Sequence, residues 1–552
     1  MRKTLSNVRT KSETGFDYVV SSIHINTPFG KKRIREKAPF FPGEENLLRQ
    51  EFQKLEHVLE FIKQNPESCD ELLRIFMEIK DVSFTIARCG KDALSVVELF
   101  EIKSLLLKMA GISKLLSDAP NHIPEDYLLV DLEPLIARLD PRNDRMDTFY
   151  IYDEFSEALG EARKRKRELE GSIRREQKKQ KEIVKQKYGI DLTPKCDYMV
   201  SRTSTEQIKM IREIPELAQS DEDYVSVTFS IKNTEEIDAF LREMDQAIEM
   251  IEAQELIVRE TLSGEIGAYG KELLDNCEKI GELDIAVAKA VYAHKSNCTT
   301  PEIVEGHVIE ITEGRHLRVE DLLSIKNKEY CPISISLADG VTCITGANMG
   351  GKTVSLKLVG LVSQLTQNAF FVPCKKAVVG LSNYMQILIG DNQSLERGLS
   401  SFGSEMEVLK EILENRKDRS LFLIDEIASG TNPQEGFALT KSLVAYLKDK
   451  PYISLITTHF DSVAEGGDVN NLQVVGLANA DFDKLDREIR YADKRERINI
   501  ISKYMDYRLY KVTKNQKVPK DALNIAKMLG INEEIIENAK KYLEGGRGTH
   551  EK

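Results

Sequence analysis

Apolar residues recur at intervals of three and four through Glu45–Gln64 and through residues 235–262, with charged residues between them. That spacing gathers the apolar side chains on one face of a helix. The same period dominates the stretch from about 16 to 300, where glycine is sparse. Beyond residue 301 the pattern changes. Short β-branched runs at 341–345, 420–424, 452–457 and 472–477 alternate with segments of helical period. Strands alternating with helices predict a mostly parallel, doubly wound sheet. A further strand over 507–512 and a polar loop lead to residues 520–543. There Ala522, Ile525, Ala526 and Leu529, then Gly530, then Ile535, Ile536, Ala539 and Leu543 predict helix, turn, helix. The chain thus reads as a flexible N-terminus (1–15), an all-α domain (16–300), an α/β domain (301–515) and a C-terminal helical pair (516–552). The terminal pair is either a dimerisation cap or a packing element on the α/β domain.

Charge changes this picture at one place. Residues 163–187 carry twelve Lys or Arg against four Glu, with no proline and only Gly171 to interrupt a helix. The stretch reads as a long exposed helical arm, either a solvated face or a contact for nucleic acid or another acidic partner. The whole chain has a formal charge of -12, which disfavours a protein coated in nucleic acid but leaves room for a local basic surface. The eight cysteines form no CxxC pair, so they read as reduced thiols and no zinc site is indicated. No apolar run reaches the ~18 residues of a membrane span. The N-terminus, MRKTLSNVRTKSETG, lacks the apolar core of a secretory signal. A cytoplasmic protein without membrane contact is the expectation.

The chemistry concentrates in the α/β part. Gly346, Ala347, Asn348, Met349, Gly350, Gly351, Lys352 and Thr353 match GxxxxGK[ST] at every fixed position, after an apolar strand and before a helical segment. Glycines let the backbone N–H groups turn toward phosphates, and a helix N-terminus adds a favourable dipole. Lys352 supplies a positive charge and the Thr353 hydroxyl ligates Mg2+. A second run, Ser420-Leu-Phe-Leu-Ile-Asp425-Glu426, ends a buried strand in two acids at the carboxyl edge of the sheet. Asp425 holds the metal and Glu426 orients or deprotonates the attacking water. A third strand ends at His459, placed to sense or contact a γ-phosphate. These residues predict binding and hydrolysis of a nucleoside triphosphate.

Taken together the motifs resemble the MutS family of mismatch-repair ATPases, which is related to the ABC class. ITGANMGGKT (344–353) is similar to its P-loop, LIDEIASGTNPQEG (423–436) to its Walker B strand and D-loop, and ITTHF (456–460) to its switch histidine segment. FFVPCKKAVVG (370–380) and GDNQSLERGLSSFGSEM (390–406) resemble its linker strand and signature loop. The resemblance implies ATP and Mg2+ as ligands and a homodimer with composite sites, in which Ser400 and Ser401 of one subunit reach the partner's γ-phosphate. Without the resemblance, Ser400 reads as an ordinary helix N-cap. It also makes His316, and more weakly Tyr330, candidates for adenine contact. Upstream, Thr27-Pro-Phe-Gly30-Lys31 and Glu282-Leu-Asp284 resemble the start and end of the family's helical lever domain, and the basic stretch falls where lever helices run toward a DNA clamp.

The resemblance implies double-stranded or branched DNA as partner, in mismatch repair or recombination control. The stretch before residue 16 leaves no room for the family's mismatch-reading module, and the signature loop and GTNPQEG resemble the recombination-suppressing branch. No nuclease-like domain is legible at the C-terminus. Length and architecture also resemble a MutS-like ATPase thought to reactivate a cobalamin-dependent lysine aminomutase. That alternative makes the helical half the grip on a protein client.

Overall fold

The computed structural model describes residues 3–545 apart from 119–122, 347–350, 391–400, 429, 465–468, 478, 491–496, 498–499, 502 and 513–520. The chain divides into two compact units, one of Glu78–Lys114 with Leu129–Cys277, the other of Met1–Met77, Leu115–Leu128 and Glu278–Lys552.

In the first of these, the helix Glu157–Tyr188 packs along the helix Glu235–Ala268. The side chains of Ser156 and Thr234 cap their N-termini by accepting from Leu159 N and Ile237 N. Gly189, with φ +70°, ends the first helix in the left-handed conformation. Arg163 ties the pair together, donating to Glu255 at 2.6 Å. Leu159, Ala162, Leu169 and Ile173 of the first helix are buried, and Val184 near its end joins the core of the sheet that follows. Between the two helices the chain forms an antiparallel sheet: β1 (Asp197–Ser201), β2 (Leu217–Glu222) and β3 (Ser226–Ile231), in the order β1-β3-β2. Val200, Ile208, Val227 and Phe229 form its core. The region 16–300 is therefore not all-α. β2 reads LAQSDE with only Leu217 buried, so it carries no apolar alternation from which a strand could be read.

The second unit holds two sheets. One joins β4 (Glu302–Val304), β5 (Val308–Gly314), β6 (Ile333–Ala338) and β8 (Lys376–Gly380) in the order β4-β8-β5-β6, with β5 antiparallel to both neighbours. This mixed sheet takes the strands of 302–338 and 376–380 out of the single doubly wound sheet expected from the sequence. The other follows the order β13-β12-β7-β11-β10-β9, made of β7 (Gly340–Thr345), β9 (Tyr384–Ile389), β10 (Ser420–Asp425), β11 (Tyr452–Thr457), β12 (Asn470–Gly476) and β13 (Asp506–Lys511). Only β13 runs antiparallel. Every residue of β7, β10 and β11 is buried, as in a parallel sheet covered on both faces. Alternate residues serve opposite layers. Leu421 and Leu423 join the core containing Leu356, Val359 and Val362 of the helix Lys352–Gln367. Phe422 and Ile424 join the core of Leu409 and Ile412, from the helix Ser401–Glu414, and Leu443 and Val444, from the helix Pro433–Leu447.

The N-terminal residues belong to this unit. Residues 8–13, expected to be flexible, form a helix capped by Asn7. Met385 N donates to Leu5 O at 2.8 Å and Ile387 N to Thr10 Oγ1 at 3.3 Å, so the segment satisfies outward-facing groups of the edge strand β9. Gln364 Nε2 donates to Ser6 Oγ at 2.9 Å, and Lys357 pairs with Glu13 at 2.9 Å. The two upstream motifs also meet. The fully buried Asp284 carboxylate accepts from Thr27 N and Thr27 Oγ1, both at 2.7 Å, and from Asn26 N at 3.0 Å. A Cβ on Gly30 would lie 2.7 Å from the same carboxylate.

Candidate functional site

The loop begins at Gly346 (φ +116°), at the carboxyl end of the central strand β7, and closes at Gly351 (φ +77°), which precedes the helix Lys352–Gln367. Both need the left-handed region that glycine enters without strain. A Cβ on Gly351 would also come within 3.2 Å of the Tyr507 ring. Ala347, Asn348, Met349 and Gly350 lie outside the described residues.

Lys352 is 3% exposed. Its Nζ donates to Gly346 O at 2.8 Å and sits 3.0 Å from Glu426 Oε1. Thr353 Oγ1 donates to Asp425 Oδ2 at 2.8 Å, and Thr457 Oγ1 donates to Asp425 Oδ1. The parallel register that places Asp425 beside Thr457 brings these groups together from three chain segments. Burial pushes the Asp425 carboxyl above the usual carboxylate range and Glu426 adds to this, while the hydroxyls of Thr457 and Thr353 and the charge of Lys352 oppose it. Glu426 adopts φ +44°, rare for a residue with a side chain. Its N–H is held by Thr457 O and Oγ1, both at 3.1 Å. The next bend, Ala428 at φ +60°, donates its N–H to the buried Glu405 carboxylate at 2.9 Å. Such strained positions persist only where surrounding contacts fix them.

His459 is exposed beyond the end of β11, its ring centroid 4.1 Å from that of Phe460. Ser400 lies outside the described residues, and of Ser401 only its place at the start of the helix Ser401–Glu414 is described. His316 does not fit the adenine contact expected of it. It is 1% exposed, and Nε2 lies 3.0 Å from the carbonyl of Thr14. The ring is occupied with the N-terminal segment, against which even a Cβ on Gly15 would approach to 2.8 Å. Tyr330 is part-buried.

Burial, with Lys357 adding to it, pulls His316 down to about 4 from an ordinary 6.5. Between these values the unfolded chain binds a proton that the native state refuses. Stability therefore falls as pH drops from about 6.5 to about 4, by up to about 3 kcal/mol. Urea midpoints measured across that window should show this slope in the wild type and a flatter one in His316→Gln. Equal slopes would remove His316 as the cause.

The arrangement holds two groups that the sequence motifs did not single out. Thr457 orients both acids, and its signal was a hydroxyl ending a wholly buried strand. Glu405 braces the turn after Glu426, signalled only by an acid at a core position of an amphipathic helix. A separate constellation, Asp339–His307–Ser382, has separations of 2.5 and 3.2 Å, but Ser382 is fully buried and its hydroxyl is closed to any substrate.

A buried parallel strand, a glycine loop, a helix beginning at Lys352 and a carboxylate on the Thr353 hydroxyl define the class of this α/β domain, and residues 342–545 match the family model for MutS domain V. Endonuclease MutS2 of Clostridium botulinum is 36% identical over 205 residues, 37% of this chain and 25% of that protein. Endonuclease MutS2 of Pediococcus pentosaceus is 31% identical over 297 residues, 54% and 34% of the two chains. That of Carboxydothermus hydrogenoformans is 32% identical over 279 residues, 49% and 32%. Residues 342–545 are thus similar to MutS domain V and part of the chain is similar to the MutS2 proteins; the chain spans a quarter to about a third of the length of these curated relatives.

Proposed function

We propose that the chain binds and hydrolyses ATP at the 346–353 loop and uses the nucleotide to govern a grip on duplex or branched DNA, acting as a MutS-type dimer. The observation that carries the ATPase reading is the convergence of Lys352, Thr353, Asp425 and Glu426 at one sheet edge. The donor set suits Mg2+: a hydroxyl and one carboxylate are hard oxygens, and this ion takes few protein ligands beside phosphate oxygens. Among the described residues no group of three or more His, Cys, Asp or Glu side chains is built to hold a metal alone. Thr353 and Asp425 would hold Mg2+, which when bound neutralises charge on the phosphates. Lys352 exchanges the Glu426 carboxylate for phosphate oxygens. Glu426, released from that ion pair, accepts the proton of the attacking water. His459, exposed beyond the end of β11, would meet the γ-phosphate. Ser400 and Ser401 are assigned to the partner's nucleotide on the family pattern.

The DNA reading rests on the helix Glu157–Tyr188. Lys164, Arg167, Arg174, Lys178, Lys181 and Lys185, with Gly171 between, follow a strict three–four spacing and share one face. All but Lys181 are exposed. The stripe runs about 32 Å at 1.5 Å per residue, close to one turn of B-DNA. Nothing observed favours the aminomutase-reactivating alternative.

Removal of the loop cation tests the nucleotide site. Lys352→Ala should weaken Mg2+-ATP binding at least tenfold in a fluorescent-nucleotide titration, since it deletes a charged hydrogen bond worth about 1.5–3 kcal/mol. Undiminished affinity would place the nucleotide elsewhere.

A further inference from the structure

A cavity of about 640 Å³ lies at the other end of the helix that begins with Lys352. Its floor includes Asn368, Ala369 and Phe370, about 24 Å along the helix axis from the loop. The volume falls within the roughly 300–1,000 Å³ of small-molecule sites. Six lining side chains are Lys or Arg and four are Asp or Glu, and although burial pulls Lys289 down to about 7 the lining stays net positive on a chain of net -12.

The carboxylates are mostly engaged. Glu282 serves both Arg33 (2.5 Å) and Lys37 (2.7 Å), Lys37 also touches Glu51 (3.0 Å), and Lys54 pairs with Asp126 (3.0 Å). Lys11 and Arg35 have no side-chain hydrogen bond or ion pair among the described residues. At the floor, the 2%-exposed Lys289 donates to Asn368 O at 3.0 Å and Ala369 O at 2.9 Å, using two of its three donors. Its ammonium also lies 4.2 Å from the centre of the Phe370 ring. Phe40 and Tyr127 add aromatic surface to the lining.

We propose that this cavity binds a small organic phosphate of nucleotide size, its phosphate held by Arg35 and Lys11 and its planar part against the aromatic lining. A guanidinium without a carboxylate partner is suited to bidentate phosphate recognition. The site is separate from the 346–353 loop and does not depend on ATP hydrolysis there. Because the cavity floor and Lys352 are opposite ends of one helix, occupancy here bears on the element that carries the loop lysine.

The test is calorimetric titration of the full chain with AMP, and separately with inorganic pyrophosphate. AMP lacks the β- and γ-phosphates that a P-loop cradles. AMP affinity should stay within about twofold in Lys352→Ala and fall at least tenfold in Lys11→Gln/Arg35→Gln. Both cations reach the surface, and an unchanged melting midpoint of the double variant certifies its fold. The proposal is overturned by absence of AMP binding, by pyrophosphate binding alone, by AMP binding lost in Lys352→Ala, or by binding unaffected in the double variant. Because Lys352→Ala is measured in parallel for ATP, failure of this site and failure of the ATP site are distinguishable.

Discussion

Replacing Glu426 by glutamine slows ATP turnover by about 10²-fold or more, the lower end of what a positioned general base contributes, while ATP affinity holds or rises. Glutamine keeps the size of the side chain and a hydrogen-bonding oxygen but has no basicity at neutral pH. About 10²-fold corresponds to roughly 2.7 kcal/mol of barrier. The affinity half of the prediction comes from the 3.0 Å contact between Glu426 and Lys352. A phosphate must displace a carboxylate there in the wild type, and only a neutral amide in the variant. Single-turnover phosphate release, run beside a nucleotide titration, separates the two effects. Unchanged turnover removes Glu426 from the chemistry. Slower turnover with equally weakened binding assigns it to the ground state.

The second large effect concerns salt. Each phosphate contact contributes about -0.9 to the slope of log K against log salt on B-DNA. Of the striped cations, Lys164 and Lys178 form no ion pair among the described residues, and Arg167 reaches Asp153 only at 3.9 Å. Converting Lys164, Arg167, Arg174 and Lys178 to alanine should therefore shrink the slope by about 3 to 4. Affinity at low salt should fall by orders of magnitude. Exposed positions carry little packing, so melting should hardly move. If slope and affinity both survive, the helix face meets only solvent.

The two halves of the molecule were legible in the sequence to different degrees. β7, β10 and β11 are buried on both faces, so they appear as unbroken apolar runs, and the motif residues sit where those runs end. The helix over residues 163–187 was legible because nothing but Gly171 interrupts it. β2 was not, because an edge strand with one buried residue has no pattern of its own. Residues 8–13 read as flexible because VRTKSE has no apolar face. Their helix is fixed by the Asn7 cap and by bonds to β9 and Gln364, hundreds of residues away. His316 was misjudged for the same reason. A histidine in an Arg-His pair carries no sign that a distant N-terminal carbonyl will bury it. Local motifs located the groups that strand order alone assembles at one sheet edge. They failed where long-range contacts decide exposure.

If one chain joins an ATP-hydrolysing site to a DNA-gripping helix, DNA alters the rate of hydrolysis. The most direct measurement is the rate of phosphate release from Mg2+-ATP by the full chain at low salt, with and without duplex DNA, using Lys352→Ala as the blank. Release should stand above the blank, and its change on adding DNA should disappear when Lys164, Arg167, Arg174 and Lys178 are alanine. Release indistinguishable from the blank, with or without DNA, would contradict this.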